Sequence, residues 1–487
     1  MGGAQVLGFA EALDLVLRHA AQVRPPGSEQ VALLASAGRV LAGEVLADRD
    51  QPPFDRATRD GFAVRAEDFT AGQRLGIAGQ VRAGEAWVGE LASGCAIEIM
   101  TGAPVPYGAD AVAMLEYADQ AGSEVWATAG RSLQAGENIV RRASEARQGD
   151  ILLASGAAIG AAEIALAASC GCVQLAVYRQ PKVAIVATGD ELVELDQTPQ
   201  PHQIRNSNSY ALAAMVQAAG GRAQRLPIAR DTRDDLRDRI AEGCKSDLLL
   251  LSGGVSAGKY DLVEDVLAEF GAEFFFTGVK MQPGKPVVFG RLPRAASRRA
   301  SQPEDLDAGG TGFSPSATSA SLTGTGFSPS ATSASLIGTG FSPSASSAVL
   351  IGTGFSPSES GEKVGGALAP EGTANEWTYF FGLPGNPVST QVTFHCFVQP
   401  LLRALCGAGV AGPNFVQATL TEDIRARPGL TRFLPASLTH DLTKPQVRLV
   451  GWQGSGDLAA NARANCYAVL PDGLDLRAGD AITLLLR

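Results

Sequence analysis

Near the N-terminus the apolar positions recur with the period of a helix. Residues 9–24 place Phe9, Leu13 and Val16 on one face, and the PPG sequence that follows ends the helix. From residue 51 the pattern changes to short apolar runs such as AIEIM, AVAMLEY and EVWATA, separated by turns rich in Gly and Pro. These runs predict a mostly β module, after which an Ala-rich helical pattern returns at GAAEIALAASCG.

From residue 181 continuous apolar strands alternate with helical patterns. The predicted strands are VAIVAT, DLLLLSGG, KPVVFG and YFFGLPG, and the predicted helices are YALAAMVQAAGG, DLVEDVLAEFG and VSTQVTFHCFVQPLLRAL. Strands without polar alternation are buried on both faces, so this region is expected to be a parallel sheet covered by helices. The last segment alternates with period two in QATLTEDI, TRFLPASL, QVRLVGW, CYAVLP and AITLLL, which predicts a small β-barrel or sandwich, of which we favour the barrel.

The chain is therefore predicted to be a multidomain α/β plus β protein, with a central parallel α/β sheet domain, a β insert module and a C-terminal small β-barrel. The expected domains are a discontinuous helical and linker domain at 1–50 and 148–180, the β-rich insert at 51–147, the α/β domain at 181–408 and the barrel at 413–487.

A low-complexity repeat interrupts the α/β domain. The sequence GTGFSPS starts at Gly310 and recurs at intervals of 14 residues, and no Asp, Glu, Lys or Arg lies between Ala308 and Ser358. Such a segment cannot bury enough apolar area to offset an ordering entropy of about 1–2 kcal/mol per backbone residue. We predict that 294–375 is a disordered expansion of a loop between two strands, since the entropy of loop closure grows only logarithmically with length.

Charge and composition exclude several classes of function. Lys and Arg number 40 against 50 Asp and Glu, a net charge of −10, and no long basic run is present, so nucleic acid is not an expected partner. No run of 18 apolar residues and no basic signal-peptide start occurs, which favours a cytoplasmic protein without a membrane partner. Seven scattered cysteines and four dispersed histidines fit neither a zinc site nor histidine-driven catalysis.

Polar, glycine-bearing loops adjoin the predicted strands of the α/β domain. Because ligands bind beyond the carboxyl ends of parallel strands, these loops are expected to converge on one rim. They contain Asp190 and Glu191 after VAIVAT, Ser252, Gly253, Gly254 and Ser256 with Asp261 after DLLLL, Pro283, Gly284 and Lys285 before PVVFG, and Pro384, Gly385 and Asn386 after YFFGL.

The chemistry of these loops suits a phosphate-bearing ligand with a divalent cation. Glycine amides, Lys285 and a helix beginning near Val388 would attract phosphate, and carboxylates are the ligands that Mg²⁺ prefers. The alternative is that each loop is an ordinary strand-to-helix turn, for which Gly, Ser and Asp are common residues. Tight turns in the β insert also present Asp60 and Thr101, for which a purely structural role is the simpler interpretation.

Seven motifs in this order resemble one family. PPFD with DGFAV, IMTGAPVPYGADAV, ATGDEL, IRNSNSY, SGGVSAGKYD, MQPGKPVVFG and GLPGNPVSTQVTF are similar to the motifs of molybdopterin molybdenumtransferases, which include the bacterial MoeA proteins and the E domain of gephyrin. The resemblance covers the chain apart from about 294–375.

The resemblance implies a homodimer of four-domain subunits. The active-site cleft would lie between the β insert of one subunit and the α/β and C-terminal domains of the other. The substrates would be molybdate and adenylylated molybdopterin. Molybdenum would be left on the dithiolene, AMP would be released in a reaction that depends on Mg²⁺, and other proteins of molybdenum cofactor biosynthesis would be further partners.

The same resemblance implies roles for individual residues. Asp60, Asp190, Glu191 and Asp261 would be catalytic, and Glu191 and Asp261 would hold Mg²⁺. The substrates would be bound by Thr101, Ser252, Gly253, Gly254, Ser256, Lys280, Pro283, Gly284, Lys285, Pro384, Gly385, Asn386, Arg432 and Ser455, with the last two assigned to molybdate.

The chain departs from the family pattern at a few positions. Arg56 and Arg59 add positive charge before Asp60, Glu145 stands where the family has an aspartate, and Asn206 replaces a common aspartate. Two alternative functions remain: a molybdopterin adenylyltransferase, whose α/β domain is similar, and a non-catalytic scaffold like that of gephyrin. The loop SGGVSAGKYD and the predicted C-terminal barrel disfavour the adenylyltransferase, and the absence of a linked adenylyltransferase domain and the retained carboxylates disfavour the scaffold.

Overall fold

A computed structural model describes residues 6–254, 262–294, 375–425, 427–439, 441 and 443–487 of the 487-residue chain. No helix in these ranges is long and apolar enough to cross a membrane. The predicted disordered insertion lies outside the described residues, apart from Arg294 and Asn375 at its two ends. Ser256 and Asp261, which the sequence assigns to the site, lie outside them as well.

The N-terminal helix, α1, runs over Phe9–Ala20 and packs on the core of the α/β domain. The strand before it, Val6–Leu7, pairs in parallel with Gly278–Val279 of that domain. The helix buries three residues at helical spacing, Ala12, Val16 and Ala20. The helix was predicted to extend to residue 24 but ends at Ala20; of the predicted face Val16 is buried, and Phe9 and Leu13 pack half-buried against the same core.

The segments on either side of the β insert pair with each other. Strand Ser28–Ala32 is antiparallel to Gln174–Tyr178, and Val45–Leu46 is antiparallel to Ile151–Leu153. The Ala-rich pattern forms helix α2, Ala161–Ser169. These contacts are those that a discontinuous domain requires, while its exact boundaries stay a prediction.

The β insert contains a six-stranded sheet, which confirms its predicted β character. In spatial order its strands are Ala111–Met114, Gly61–Val64, Cys95–Ile99, Leu75–Val81, Glu124–Ala127 and Ala118–Ala121. Neighbours are antiparallel except Leu75–Val81 and Cys95–Ile99, which are parallel. A short antiparallel pair, Arg56–Ala57 with Ile139–Val140, is formed by segments that precede and follow the strands of this sheet in the sequence. Residues of the sheet pack into two separate hydrophobic clusters, as expected for a sheet with apolar residues on both faces.

A second six-stranded sheet forms the centre of the α/β domain. In spatial order its strands are Arg222–Arg225, Lys182–Ala187, Leu248–Ser252, Trp377–Leu383, Val288–Pro293 and Glu273–Phe276. The first four are parallel. Along each strand alternate residues join different clusters, Ile185 on one face and Val186 on the other, which explains why the strands have continuous apolar sequences.

The last two strands of this sheet run against the others. Val288–Pro293 is antiparallel to Trp377–Leu383, and Glu273–Phe276 is antiparallel to Val288–Pro293. The α/β class is confirmed, but the sheet is parallel only over its first four strands. A parallel neighbour requires a crossover connection over one face of the sheet, whereas an antiparallel edge on a parallel sheet is common.

Helices cover this sheet, and one of them was not predicted. They are α3 at Asn208–Ala218, α4 at Arg233–Gly243, α5 at Leu262–Glu269, α6 at Pro387–Thr393 and α7 at Gln399–Leu405. The sequence of α4 is mostly charged, and among its residues only Leu236, Ile240 and Gly243 are buried. A π-helical turn at Phe394–Val398 joins α6 to α7, where the sequence predicted one continuous helix.

The C-terminal segment closes into a five-stranded barrel, as predicted. Its strands in order around the barrel are Thr431–Leu438, Gln446–Leu449, Phe415–Leu420, Ala481–Leu486 and Cys466–Leu470, and the last pairs with the first. A short helix, α8 at Leu458–Arg463, precedes the strand Cys466–Leu470. The two-residue strand Met281–Gln282 pairs in parallel with the start of Thr431–Leu438 and joins the α/β domain to the barrel.

Candidate active site

Three parallel strands end side by side at the carboxyl edge of the α/β sheet. Their end loops are joined by backbone hydrogen bonds: Thr188 N–H donates to Ser252 O over 3.1 Å, and Gly253 N–H donates to Leu383 O over 3.2 Å. The strand order therefore brings these loops together, as reasoning from the sequence expected. The roles assigned to their residues stay predictions.

Gly253 shows why this edge needs glycine. Its φ is +98°, and a Cβ there would lie 2.5 Å from Thr188 O. An L-residue would combine an unfavourable backbone conformation with a collision against fixed backbone. The adjacent strand ends consequently approach more closely than side chains would permit.

Asn208, at the first position of α3, links two of the strand ends. Its Nδ2 donates to Ser252 Oγ over 3.0 Å and to Gly385 O over 2.7 Å. Ser252, a predicted substrate residue, is therefore already engaged through its hydroxyl and is buried. Asn208 lies in the IRNSNSY motif but was not among the predicted site residues. An asparagine at the start of a helix beside a strand end was the available signal.

A further acidic residue, in addition to those predicted, lies at this edge of the sheet. Thr188 Oγ1 donates to Asp231 Oδ1 over 2.7 Å, and Asp231 N–H donates to Asp190 Oδ1 over 3.4 Å. Sequence analysis missed Asp231 because it follows the strand Arg222–Arg225, which has no apolar run. The parallel order of the strands places it beside the ATGDEL loop.

Glu191 is exposed at the same edge, where it was assigned to hold Mg²⁺. Its backbone carbonyl accepts from Ile204 N–H over 2.8 Å, next to the short parallel pair Leu192–Val193 and Ile204–Arg205. In the described ranges no group of three or more His, Cys, Asp or Glu forms a metal cluster. One or two carboxylates with substrate phosphates suffice for Mg²⁺, so an exposed Glu191 fits such a site. Because Asp261 lies outside the described residues, the pair stays a prediction.

A cleft of about 480 Å³ lies between the α/β domain and the barrel. Six of the predicted substrate residues line it: Pro283, Gly284, Lys285, Pro384, Asn386 and Arg432. Ser455, a seventh, lines it as well. The residues that sequence analysis did not assign are Met281, Gln282, Pro286, Ser389, Arg427, Trp452, Gln453 and Gly454.

Two buried polar atoms in this cleft have no hydrogen-bond partner among the described residues. They are Arg432 Nε and Gln282 Oε1, and the two residues face each other in the strand pairing. Arg432 Nη1 donates to Arg425 O over 3.2 Å. Burial, and after it the positive charge of Arg427, lowers the pKa of Arg432. Buried donors are normally paired, so this guanidinium is suited to an anionic ligand.

The two predicted lysines differ in position. Lys285 is exposed and lines the cleft. Lys280 is also exposed, but it is not one of the lining residues, and its backbone N–H donates to Leu7 O over 2.8 Å. The structure therefore brings Lys285 together with Arg432 and Ser455 in the cleft lining, whereas Lys280 adjoins the barrel strand through its backbone O, which accepts from Thr431 N–H over 3.2 Å.

The helix expected near Val388 begins at Pro387 as α6. Its Val388 N–H is not free for a ligand, because it donates to Ser455 O of the barrel over 3.0 Å. The first turn of α6 therefore contacts the barrel directly. Ser389 of α6 lines one wall of the cleft and Ser455 of the barrel lines the other, so this contact fixes the two walls relative to each other.

Asp60 and Thr101 lie together on the β insert and do not line the cleft. Asp60 Oδ1 accepts from Thr101 N–H over 2.6 Å and from Thr101 Oγ1 over 2.8 Å. These two hydrogen bonds hold the pKa of Asp60 below its ordinary value, and the bond from the backbone N–H has the larger effect. Both side chains are exposed, so the pair presents a fixed negative charge at the surface of the insert.

The departures from the family pattern have structural counterparts. Arg56 forms an ion pair of 3.5 Å with Glu145, so two of the altered residues partly compensate each other. Asn206 is 2% exposed, and its Oδ1 accepts from Ser209 N–H over 3.2 Å. A neutral side chain suits that buried position better than a carboxylate would.

Comparison with known proteins matches family profiles to three parts of the chain. They are the MoeA N-terminal region, domains I and II, at 7–171, a probable molybdopterin binding domain at 184–404, and the MoeA C-terminal region, domain IV, at 417–486. A molybdopterin molybdenumtransferase of Nostoc sp. is 31% identical over 92% of this chain and 85% of its own length. The enzyme of the same name from Staphylococcus epidermidis is 27% identical over 99% of this chain and 95% of its own length.

A crystal structure of a molybdopterin biosynthesis MoeA protein from Pyrococcus horikosii aligns over 99% of both chains, with 26% identity and a TM-score of 0.63. The fold and the matched domains together define a MoeA-like multidomain protein of molybdenum cofactor biosynthesis. The chain belongs to the molybdopterin molybdenumtransferase family, whose members are transferases.

Proposed function

We propose that this chain inserts molybdenum into molybdopterin: molybdate and adenylylated molybdopterin react, molybdenum binds the dithiolene sulfurs, and AMP is released. Membership of the family supports the class of reaction. The single observation that carries the proposal is the cleft in which Lys285 of the α/β domain faces Arg427 and Arg432 of the barrel.

The composition of the cleft suits an oxyanion. Among the described residues that line it, three are cationic and none is Asp or Glu. Molybdate has only acceptor oxygens, so it requires donors such as the guanidinium of Arg432 and the hydroxyl of Ser455. Arg432 Nε has no hydrogen-bond partner among the residues that the structure describes, so it is suited to this purpose. A carboxylate in the same place would repel the ligand.

The neighbouring strand ends suit the pyrophosphate of the second substrate. Gly253 and Gly385 lie side by side there, since a Cβ on Gly385 would be 3.7 Å from Gly253 Cα. Backbone without side chains permits phosphate oxygens to approach N–H groups closely. Asn386, the next residue, lines the cleft, so a pyrophosphate at the strand ends would be next to an oxyanion in the cleft.

Mg²⁺ would be held by Glu191 and Asp261 at this edge. When bound it neutralises phosphate charge and polarises the phosphoryl oxygens during cleavage. Asp190 and Asp231 are hydrogen-bonded to each other through the backbone of Asp231, which keeps the loop that carries Glu191 in place.

We further propose that two copies of the chain form the working unit in the cytoplasm. Asp60 and Thr101 are exposed, fixed by two hydrogen bonds and absent from the lining of the cleft in their own subunit. A second subunit that contributes them would complete the site. Other proteins of molybdenum cofactor biosynthesis would deliver the substrate and accept the product.

Release of AMP from adenylylated molybdopterin tests this function. The chain is expected to release AMP only when molybdate and Mg²⁺ are both present. Glu191→Gln should reduce the rate by about 100-fold, since it removes a ligand charge, and Asp261→Ala should do the same. Asp196→Asn changes an exposed carboxylate later in the same segment and should leave the rate unchanged. AMP release that does not depend on molybdate would contradict the proposal.

A further inference from the structure

A buried polar network joins helix α6 of the α/β domain to the barrel. Asn461 of α8 donates from Nδ2 to Gln391 Oε1 of α6 over 2.8 Å, and its Oδ1 accepts from Tyr467 OH over 2.9 Å. Arg487 donates from Nη1 to the backbone oxygens of Asn461 and Ala464 over 2.7 and 2.6 Å. Asn461 is 2% exposed and Tyr467 is fully buried.

The direction of each hydrogen bond in this network follows from the chemistry of arginine. Arg487 Nη2 lies 3.4 Å from Gln391 Oε1 and can only donate, so the oxygen of Gln391 faces it. Asn461 must then present its NH₂ group to Gln391 and its oxygen to Tyr467. The phenol of Tyr467 is therefore the donor, and burial raises its pKa to about 12, which keeps it protonated.

The network lies on the same helix that forms one wall of the cleft. Ser389 of α6 lines the cleft, and Gln391 is two residues further along the helix. On the barrel side, Val388 N–H is bonded to Ser455 O, and Ser455 also lines the cleft. The barrel is thus bonded to α6 by this backbone bond, by Asn461 and by Arg487, and apolar residues of the barrel and of α6 also share one core cluster.

We propose that Asn461 is a positioning residue for the oxyanion site, because it holds the barrel wall of the cleft, with Arg432 and Ser455, at a fixed separation from the α/β wall, with Lys285. The inference rests on the proposed function for the identity of the ligand. A directional, fully paired network resists sliding more than an apolar contact does, since displacement would leave buried polar groups unpaired. Neither Asn461 nor Tyr467 lines the cleft, so neither would touch the ligand itself.

Two variants test the proposal, with a third as a matched control. Tyr467→Phe removes only the donor hydroxyl, and Asn461→Leu removes both bonds of the amide while keeping the branching and the number of side-chain heavy atoms. Thr378→Val is the control, because Thr378 is fully buried and its Oγ1 donates to Cys244 O and Ser246 O over 3.0 and 2.8 Å. Thr378 lies near the start of strand Trp377–Leu383, whose other end reaches the cleft.

The measurements are the Kd for molybdate by isothermal titration, the rate of AMP release at saturating molybdate, and deuterium exchange of the peptide 386–393. We expect Tyr467→Phe to raise the Kd for molybdate by about tenfold, the effect of one lost buried hydrogen bond, and Asn461→Leu, which loses two, to raise it further. The rate at saturation should stay within about twofold of wild type, because the reacting groups are unchanged. Exchange at 386–393 should be faster in the test variants than in Thr378→Val, whose Kd should equal that of wild type.

Each outcome decides between the two proposals. A wild-type chain that binds molybdate but releases no AMP overturns the proposed function, and the Kd values still test the role of Asn461. An unchanged Kd in Tyr467→Phe and Asn461→Leu, or an equal rise in Thr378→Val, overturns the positioning role while the proposed function stands. A wild-type chain that does not bind molybdate overturns both.

Discussion

The two ends of the strand Trp377–Leu383 differ in what surrounds them. The carboxyl end continues into Pro384, which lines the cleft with Asn386. The opposite end, about 20 Å away for a strand of this length, pairs with Pro293, where the chain leaves for the repeat-bearing insertion. One strand thus connects a ligand cleft to an insertion point.

The two ends of this strand differ in whether the polar groups around them have hydrogen-bond partners. At the insertion end Arg294 N–H donates to Glu376 O over 2.9 Å, and the Arg294 side chain contacts Asp247 at 2.5 Å. Asp247 also accepts from Lys182 N–H over 2.7 Å. In the cleft, by contrast, Arg432 Nε and Gln282 Oε1 lack partners within the described part of the chain. Two of the six buried side-chain atoms without a partner among the described residues therefore lie in the cleft, whereas the ion pair of Arg294 with Asp247 holds the insertion end.

The largest expected effect comes from removing the unpaired cation. Arg432→Ala should lower kcat/KM for molybdate-dependent AMP release by about 100-fold to 1,000-fold, because a preorganised donor in a dehydrated cleft is lost. Arg448→Ala removes an exposed arginine from another strand of the same barrel and should leave kcat/KM within about twofold of wild type. Equal losses in the two variants would show that net barrel charge, rather than the cleft, determines activity.

A side chain at the strand ends should have the next largest effect. Gly253→Ala introduces a Cβ 2.5 Å from Thr188 O at a positive φ, and should lower the free energy of unfolding by about 3 kcal/mol. Gly122→Ala, at φ +58° with open space around it, should lower it by about 1 kcal/mol. Urea denaturation measures both values, and similar losses would argue against close packing of the strand ends.

A smaller effect concerns the ionisation of Asp60. Its pKa is lowered from 3.8 by the two bonds from Thr101, so the stability it contributes is complete above the unfolded pKa and is lost as pH falls through the lower folded pKa. Thr101→Val removes the hydroxyl bond and should raise the pKa of Asp60 toward its ordinary value, with no change in charge at neutral pH. Thr101→Ser should keep the low pKa. Carboxyl NMR titration distinguishes the variants, and an unchanged pKa in Thr101→Val would contradict the assigned bonds.

The smallest effect is expected from removal of the insertion. Strands Val288–Pro293 and Trp377–Leu383 are adjacent and antiparallel, so a short Gly-Ser turn between Arg294 and Asn375 can replace 295–374. AMP release should stay within about twofold of wild type, since shortening this loop changes only its closure entropy. Failure of the shortened chain to restore a host that lacks molybdenum cofactor insertion would show that the insertion contributes to function.

The sequence predicted the elements whose hydrophobic pattern is clear, whether that pattern is continuous or alternating. VAIVA and DLLLL form central strands buried on both faces, and the period-two segments form all five strands of the barrel. The strand Arg222–Arg225 was missed because it is a polar edge strand, and α4 was missed because few of its residues are buried. In both cases the backbone is ordered by neighbours distant in the sequence, and local pattern contains little of that information.

The residues of the cleft differ in how much of their position the local sequence indicates. Lys285 and Asn386 were assigned from their motifs and Arg432 from the family resemblance of the C-terminal domain; all three line the cleft, and their roles stay predictions. Arg427 and Trp452 were missed because barrel loops bring them to the cleft from outside any motif. Lys280 was assigned with Lys285; its backbone O accepts from Thr431 N–H, next to Arg432, and its role stays a prediction. Which cations remain unpaired depends on the folded packing.

Anomalous X-ray diffraction at the molybdenum edge, from crystals grown with molybdate, tests the central claim most directly. The account predicts one molybdenum peak in the cleft, within hydrogen-bonding distance of Arg432 and Ser455 through the oxyanion oxygens, and its loss in Arg432→Ala. A peak elsewhere on the chain, or one that persists in Arg432→Ala with the same occupancy, would contradict the account.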